Sequence, residues 1–168
     1  MKAKLTIDGK EFEVDISEEQ AKALTETKKK TGYERVRPGE IYYIGTVAGT
    51  SACNQEDNDE IDDSRYECAN YYSDVTIAKN NARADKLYRQ LRRFAVEHRK
   101  EEIDWNNNGR DKFYLYYIHN EKKIDVAALI VFQDYGNIYF DTKESAHLAI
   151  EAFKDDLIWY FTEYKDSL

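Results

Sequence analysis

A short pattern of aromatic and polar residues occurs twice in this sequence, each time just before a long amphipathic stretch. The first copy, residues 69–74, reads Ala-Asn-Tyr-Tyr-Ser-Asp, and the second, residues 136–142, reads Gly-Asn-Ile-Tyr-Phe-Asp-Thr. In each copy, aromatic residues that favour a strand precede polar residues that favour a helix start. The repetition predicts two similar strand-helix units, at about residues 40–101 and 112–168.

Apolar residues recur every three or four positions after each copy, which is the spacing of one face of a helix. The first stripe consists of Ile77, Ala84, Leu87, Tyr88, Leu91, Phe94 and Ala95. The second stripe consists of Ala146, Ala149, Ile150, Phe153, Leu157, Tyr160, Phe161 and Tyr164. Two long helices are therefore expected.

Several segments have the aromatic and β-branched composition that favours strands. They are residues 40–47, 113–118, 124–132 and 137–140. Together with the two stripes, they predict an α+β fold in which an antiparallel sheet packs against two long helices.

The N-terminal residues predict a small separate extension. Residues 4–16 alternate between apolar and polar on both sides of Asp8-Gly9, a dipeptide that supplies the turn of a β-hairpin. Ser17 then caps a predicted short helix, and a lysine-rich linker follows it. We expect a hairpin-helix extension with its linker at residues 1–30 and an α+β main domain at residues 31–168.

Composition narrows the classes of function. The net charge of −8 disfavours direct binding to nucleic acid, because phosphate contacts need a cationic surface. The N-terminus lacks the apolar run of a signal peptide, and no stretch approaches 18 apolar residues, so no membrane contact is expected. Cys53 and Cys68 are expected to be free thiols in a reducing cytoplasm.

An acidic segment at residues 56–63 contains six carboxylates in eight residues and no base. The acidic residues are Glu56, Asp57, Asp59, Glu60, Asp62 and Asp63. Like charges this close repel, which favours an extended, solvent-exposed loop. The segment is either a solvated loop or a negative surface that binds a basic groove and competes with nucleic acid for it. It lacks the glycine and closing glutamate of a calcium-binding EF-hand loop.

The first predicted long helix carries a cationic face opposite its apolar stripe. Lys79, Arg83, Lys86 and Arg93 lie on that face. Such a face is either solvated or a docking site for an acidic protein or a nucleotide phosphate.

No pattern for catalysis or for a cofactor is present. The sequence has no glycine-rich phosphate loop, no nucleophile elbow and no Cys-x-x-Cys pair. His98, His119 and His147 lie in separate predicted elements, without the spacing of metal ligands. We therefore expect a protein that is not an enzyme and that uses neither a metal nor a cofactor.

Residues 33–168 resemble a group of small proteins encoded in phages and prophages of Gram-positive bacteria. The residues that carry the resemblance are Glu40–Ile44, Asp57–Glu60, Arg65–Glu67, Asn70–Tyr72, Ala78 with the predicted helix up to Leu91, Gly136–Phe140 and Ala146. Ala69 stands where the family often has glycine. The resemblance implies a phage origin and a setting in the host bacterial cytoplasm. Small acidic phage proteins of this kind look like inhibitors of bacterial immunity, of which anti-CRISPR proteins are one example.

The leading hypothesis is therefore a non-enzymatic phage inhibitor that binds a host defence protein, for instance a CRISPR effector nuclease. In it, the acidic segment mimics nucleic acid and exposed tyrosines anchor the contact. A second hypothesis is a sponge that sequesters a nucleotide immune signal on Arg83, Lys86 and Arg93. A third is a replication or packaging accessory that contacts DNA through the same helix. The sequence leaves open whether the chain forms a homodimer.

Overall fold

The computed structural model describes residues 2–7, 10–19 and 30–166. The chain divides into two compact units, Met1–Thr31 and Gly32–Leu168. In the first unit, β1 (Lys2–Ile7) pairs antiparallel with β2 (Lys10–Asp15), as expected for the N-terminal hairpin. The predicted Asp8-Gly9 turn, and the predicted short helix beyond Glu19, lie outside the described residues.

The second unit, called the main unit below, contains four strands and four helices within the described residues. Its elements are β3 (Ile41–Gly45), β4 (Ser51–Gln55), α1 (Glu60–Glu67), α2 (Val75–Glu97), β5 (Lys112–Ile118), β6 (Lys123–Leu129), α3 (Lys143–Ala152) and α4 (Lys154–Thr162). This set of strands and helices confirms the predicted α+β class. None of the helices in the described ranges is long and apolar enough to cross a membrane.

The strands form hairpins where a single antiparallel sheet was predicted. β3 pairs only with β4, and β5 pairs only with β6, among the described strands. The predicted strand at residues 137–140 contributes a single bridge, between Phe140 and Phe113. The long helix α2 packs against both strands of the first hairpin and also against α3 and α4, so helix packing joins the two hairpins.

The prediction of two long helices is correct for α2 only. α2 has 23 residues, whereas the second predicted helix is divided into α3, with 10 residues, and α4, with 9. Phe153 breaks the helix with φ −119° and ψ 20°. Its ring packs edge-on against Phe94, with 5.6 Å between ring centres. Asp155 and Asp156 follow in the first turn of α4, where carboxylates favour a helix N-terminus.

An aromatic residue just before a helix bridges the first strand of each hairpin in the main unit. The bridged pairs are Tyr43–Tyr72 and Phe113–Phe140. Two residues after each bridge, the side chains of Asp74 and Thr142 cap α2 and α3 by accepting hydrogen bonds from free backbone N–H groups.

The largest apolar cluster lies where α2 meets α3, α4 and the second hairpin. Its buried members are Leu87, Leu91, Ala95, Phe140, Ala146, Ala149 and Leu157. A smaller cluster beside the first hairpin consists of Tyr72, Ile77 and Ala78, with Tyr33 and Tyr43 packed against it. The remaining large buried side chains near the first hairpin are polar, and they support the acidic segment.

Candidate functional site

The acidic segment, residues 56–63, runs from a buried glutamate into helix α1, so the prediction of an extended loop is wrong. Asp59 is the N-cap of α1, and its Oδ1 accepts hydrogen bonds from the backbone N–H groups of Ile61 and Asp62, both at 2.9 Å. Glu60, Asp62 and Asp63 occupy the first turn. Carboxylates there interact favourably with the positive end of the helix dipole, which offsets part of their mutual repulsion.

Glu56 is the first buried carboxylate of the segment, with 1% of its surface exposed. The guanidinium of Arg35 donates to both of its oxygens, at 2.8 and 3.3 Å. The Tyr71 hydroxyl donates to Oε2 at 2.6 Å, and the backbone N–H of Asn58 donates to Oε1 at 3.0 Å. Burial of this charge is tolerated because both carboxylate oxygens have charged or polar donors.

Asp62 is the second buried carboxylate, with 3% of its surface exposed. The Tyr42 hydroxyl donates to Oδ1 at 2.5 Å, and the backbone N–H of Asp57 donates to Oδ2 at 2.8 Å. Arg65 donates to the same Tyr42 hydroxyl and lies 3.9 Å from Oδ1 of Asp62. Asp62 thereby ties the first turn of α1 to strand β3.

Two stacked tyrosines connect the buried carboxylates. The rings of Tyr42 and Tyr71 lie 4.0 Å apart and within 9° of parallel, and both side chains are buried. Tyr71 points its hydroxyl at Glu56, and Tyr42 points its hydroxyl at Asp62. We call these four residues, together with Arg35 and Arg65, the buried carboxylate network.

The hydrogen bonds and the burial of this network shift the pKa values of its members. Hydrogen bonds from Arg35, and then from Tyr71, hold the pKa of Glu56 below its usual value although burial opposes them. The hydrogen bond from Tyr42 is the main cause that lowers the pKa of Asp62, again against burial. Burial, and then the hydrogen bond to Glu56, raises the pKa of the Tyr71 hydroxyl, so that hydroxyl stays protonated and keeps donating. Both carboxylates are therefore ionised and saturated with donors, which suits them to holding α1 in place.

The other four predicted acidic residues, Asp57, Asp59, Glu60 and Asp63, are exposed. Asp63 also accepts a hydrogen bond from Arg35 at 2.6 Å, which links it to the network. The prediction that all six carboxylates face a partner is thus wrong for Glu56 and Asp62, whose side chains a partner cannot reach.

The exposed carboxylates have apolar neighbours on α1. Ile61 is 58% exposed, and Tyr66 is 44% exposed while its ring packs edge-on against Tyr71 at 5.5 Å. The guanidinium carbon of Arg35 lies 5.7 Å from the centre of the Tyr66 ring. We call the four exposed carboxylates at and before the start of α1, together with the exposed side chains of Ile61 and Tyr66, the acidic surface.

The predicted cationic face lies on α2, but two of its four members have carboxylate partners. Arg83 donates two hydrogen bonds to Asp156, at 2.7 and 3.0 Å, and its guanidinium lies 4.0 Å from the Trp159 ring centre. Arg93 lies 3.7 Å from Glu97, one turn later on the same helix. Lys79 and Lys86 are exposed. The positive charge of this face is therefore partly neutralised within the protein.

Ala69 and Asn70, which follow α1 in the sequence, each have a structural role at the end of this helix. The Asn70 side chain accepts a hydrogen bond from the Gly45 N–H at 2.7 Å and donates to the Gly45 carbonyl at 3.1 Å, as a neighbouring strand would. Ala69 has φ 56°, in the left-handed region where glycine is favoured. The dipeptide thus ends α1 and ties its end to β3.

Sequence reasoning missed the partners of the buried carboxylates. Arg65 follows the acidic segment closely, but Arg35 lies 21 residues before Glu56 in the sequence. Only Arg65 could therefore have been found from local spacing, as the residue three positions after Asp62 on α1. No group of three His, Cys, Asp or Glu side chains in the described ranges is arranged to hold a metal ion.

Comparison of this chain with family models, with curated proteins and with solved structures finds no match.

Proposed function

We propose that this protein is a non-enzymatic inhibitor whose acidic surface occupies the basic nucleic-acid groove of a bacterial defence protein. The observation that carries this proposal is the division of labour within the acidic segment. Two of its carboxylates, Glu56 and Asp62, are buried and hold the backbone, whereas the other four have exposed side chains, of which Asp59 also caps α1 and Asp63 also pairs with Arg35. A flexible acidic tail would need no such support.

A fixed acidic surface is better suited to binding than a mobile one. Ordering a flexible segment at an interface costs conformational entropy, and the buried carboxylate network has already ordered this one. Clustered negative charge speeds encounter with a basic groove and disfavours acidic partners. These two effects support an inhibitor that competes with nucleic acid.

Ile61 and Tyr66 would supply the apolar part of the contact. Both are exposed beside the carboxylates, and Tyr66 is held by Tyr71 and Arg35. Preordered aromatic side chains surrounded by polar residues are typical of the residues that dominate interface energy.

The family resemblance supplies the setting of the proposal. It favours a phage-encoded protein that acts in the host bacterial cytoplasm, with a CRISPR effector nuclease as the first partner to test. The two halves of the main unit are, in the same proposal, two similar strand-helix units. The matching positions of the bridges at Tyr72 and Phe140 and of the caps at Asp74 and Thr142 support this relation.

The experiment measures whether the protein displaces DNA from guide-loaded CRISPR effector nucleases, using fluorescence anisotropy of a labelled target duplex. We expect displacement by the wild-type chain. A variant with Asp57→Asn, Asp59→Asn and Glu60→Gln should need at least about tenfold more protein, because each lost charge weakens contact with a basic groove. Asn preserves the helix cap at position 59.

A matched control removes three other exposed carboxylates. The changes are Glu151→Gln, Asp155→Asn and Glu163→Gln, which alter the net charge equally. This control should displace DNA as the wild type does. Equal weakening by both triple variants would contradict a specific acidic surface, and failure to displace DNA from any effector tested would contradict an effector as the partner.

A further inference from the structure

A cleft with a cationic wall lies at the end of α2, away from the residues of the acidic surface. Its volume is about 380 Å³, and its lining includes Arg92, Arg99, Trp105, Gln133 and Tyr139. No Asp or Glu lines it in the described part of the chain. In a protein with a net charge of −8, a cleft with two arginines and no carboxylate concentrates positive potential locally.

The two arginines of the cleft lack the carboxylate partner that five other arginines of the described main unit have. Neither Arg92 nor Arg99 forms an ion pair with a described residue, and Nε of Arg99 is buried without a hydrogen-bond partner. The arginines that do pair with carboxylates are Arg35, Arg65, Arg83, Arg93 and Arg110. A buried donor without an acceptor is rare in folded proteins, so the described chain leaves part of the hydrogen-bonding capacity of Arg99 unused.

A third cation, Lys112, lies next to Trp105, one of the aromatic residues that line the cleft. Lys112 is 2% exposed, and its Nζ donates to the carbonyls of Asn107 and Ile130 at 2.7 and 3.0 Å. Nζ also lies 5.6 Å from the ring centre of Trp105, and no carboxylate of the described chain pairs with it. The charge of Lys112 therefore adds to the positive potential and helps to hold the Trp105 ring in place.

The Trp105 ring also contacts a second aromatic residue of the cleft, Tyr139. Trp105 packs edge-on against the buried Tyr139, with 4.9 Å between ring centres and an angle of 85° between ring planes. The Tyr139 hydroxyl accepts a hydrogen bond from the backbone N–H of Asp134 at 2.8 Å, which positions the chain segment that carries Gln133. The amide side chain of Gln133 brings both a donor and an acceptor to the cleft.

We propose that this cleft binds a nucleoside monophosphate. Guanidinium groups match the geometry of phosphate oxygens, a fixed indole offers a surface for a planar base, and amides can hydrogen-bond the edge of that base. The volume lies near the lower end of the range for small-molecule sites, about 300–1,000 Å³, which favours a single nucleotide over a larger ligand. The site shares no residue with the acidic surface or with the cationic face of α2, and it does not depend on the proposed function.

The test uses the full chain with Trp159→Phe, so that Trp105 is the reporting tryptophan. AMP, GMP, CMP and UMP are titrated separately at low salt, and binding is followed by Trp105 fluorescence and by calorimetry. At least one nucleotide should bind saturably. Inorganic phosphate should bind at least tenfold more weakly, because it has no ring to contact the indole.

Variants assign the binding to the cleft. Arg99→Gln should lower the affinity for the nucleotide at least tenfold, and Arg92→Gln, at an exposed position, should do the same without affecting the fold. Arg93→Gln is the matched control, since it removes the neighbouring arginine that pairs with Glu97, and it should leave affinity unchanged. Trp105→Leu should weaken binding of the nucleotide but not of phosphate.

Three results would overturn the proposal. They are the absence of saturable binding by all four monophosphates, undiminished affinity in folded Arg92→Gln or Arg99→Gln protein, and binding of inorganic phosphate as tight as that of the nucleotides. Thermal unfolding of each variant shows whether it is folded. Arg99→Gln should melt no lower than the wild type, because Nε of Arg99 has no internal hydrogen bond to lose.

Discussion

The two halves of the main unit have similar local structures but differ in the side chains that they bury. In the first half, residues 32–97, the largest side chains under the hairpin are tyrosines with charged partners, and two carboxylates are buried among them. In the second half, residues 112–162, the core around Phe140 is hydrocarbon, and it is shared with the first half because Leu87, Leu91 and Ala95 of α2 pack with Leu157 and the alanines of α3. The half with the polar core displays the acidic surface. The buried groups that hold the charged surface therefore lie beside the first hairpin, and the apolar cluster that α2 shares with α3, α4 and the second hairpin contains none of them.

The largest expected effect comes from the apolar half. Phe140→Ala should lower the free energy of unfolding by about 3–5 kcal/mol, because it leaves a cavity where Phe140 packs and bridges Phe113. Chemical denaturation measures the loss, which should be similar at pH 7 and pH 5. Phe132→Ala, at an exposed position, is the control and should cost less than about 0.5 kcal/mol. Equal losses for both variants would contradict the assigned core.

The next effect comes from the polar half. Glu56→Gln should lower the free energy of unfolding by about 2–4 kcal/mol, because an amide N–H₂ replaces a buried oxygen that accepts hydrogen bonds from Arg35 and its neighbours. Asp57→Asn, in the adjacent exposed position, should change it by less than about 0.5 kcal/mol. A loss for Glu56→Gln no greater than that of Asp57→Asn would show that the network does not support the fold.

A smaller effect should appear in the wild-type protein as the pH falls. The pKa values of Glu56 and Asp62 are lowered in the folded state, so their contribution to stability is present above the unfolded pKa values of about 4. This contribution is lost as the pH falls from about 5 through the lowered pKa values of the folded protein, because the carboxylates of the unfolded chain take up protons at a higher pH. Urea denaturation from pH 7 to pH 3 measures this. The pH dependence should be shallower in Glu56→Gln, and an unchanged dependence would contradict the account.

The difference between the halves was only partly visible in the sequence. A helical apolar stripe and an N-cap are both determined by residues that are close in the sequence. The stripe of α2 and its capping residue Asp74 were therefore predictable from local spacing. The buried carboxylate network was not predictable in the same way, because Arg35 meets Glu56 from 21 residues away. Charge density alone therefore suggested a loop where α1 forms.

The break at Phe153 was hidden for a similar reason. No proline or glycine marks it, and the residues on both sides keep helical spacing. What distinguishes the position is the contact of Phe153 with Phe94 on α2, which is a tertiary interaction. The separation of the strands into hairpins likewise depends on which helices lie between them, and a strand pattern does not contain that information.

The smallest expected effect concerns the end of α1. Ala69→Gly should raise the free energy of unfolding by about 0.5–1 kcal/mol, because Ala69 has φ 56° and glycine adopts that conformation without strain. Thermal unfolding measures the change. Ala128→Gly, on strand β6, is the contrasting control and should destabilise the protein by about 0.5–1 kcal/mol. Destabilisation by both changes would contradict the role given to Ala69.

The measurement that tests the central claim most directly is the salt dependence of binding to a defence nuclease that the protein displaces from DNA. Affinity is measured across a series of salt concentrations for the wild type, the variant with Asp57→Asn, Asp59→Asn and Glu60→Gln, and the matched triple control. Our account predicts a shallower slope of log affinity against log salt concentration for the acidic-surface variant, with the control unchanged, since salt screens the contacts that the variant lacks. Identical slopes for all three proteins would contradict the claim that the acidic surface contacts the partner.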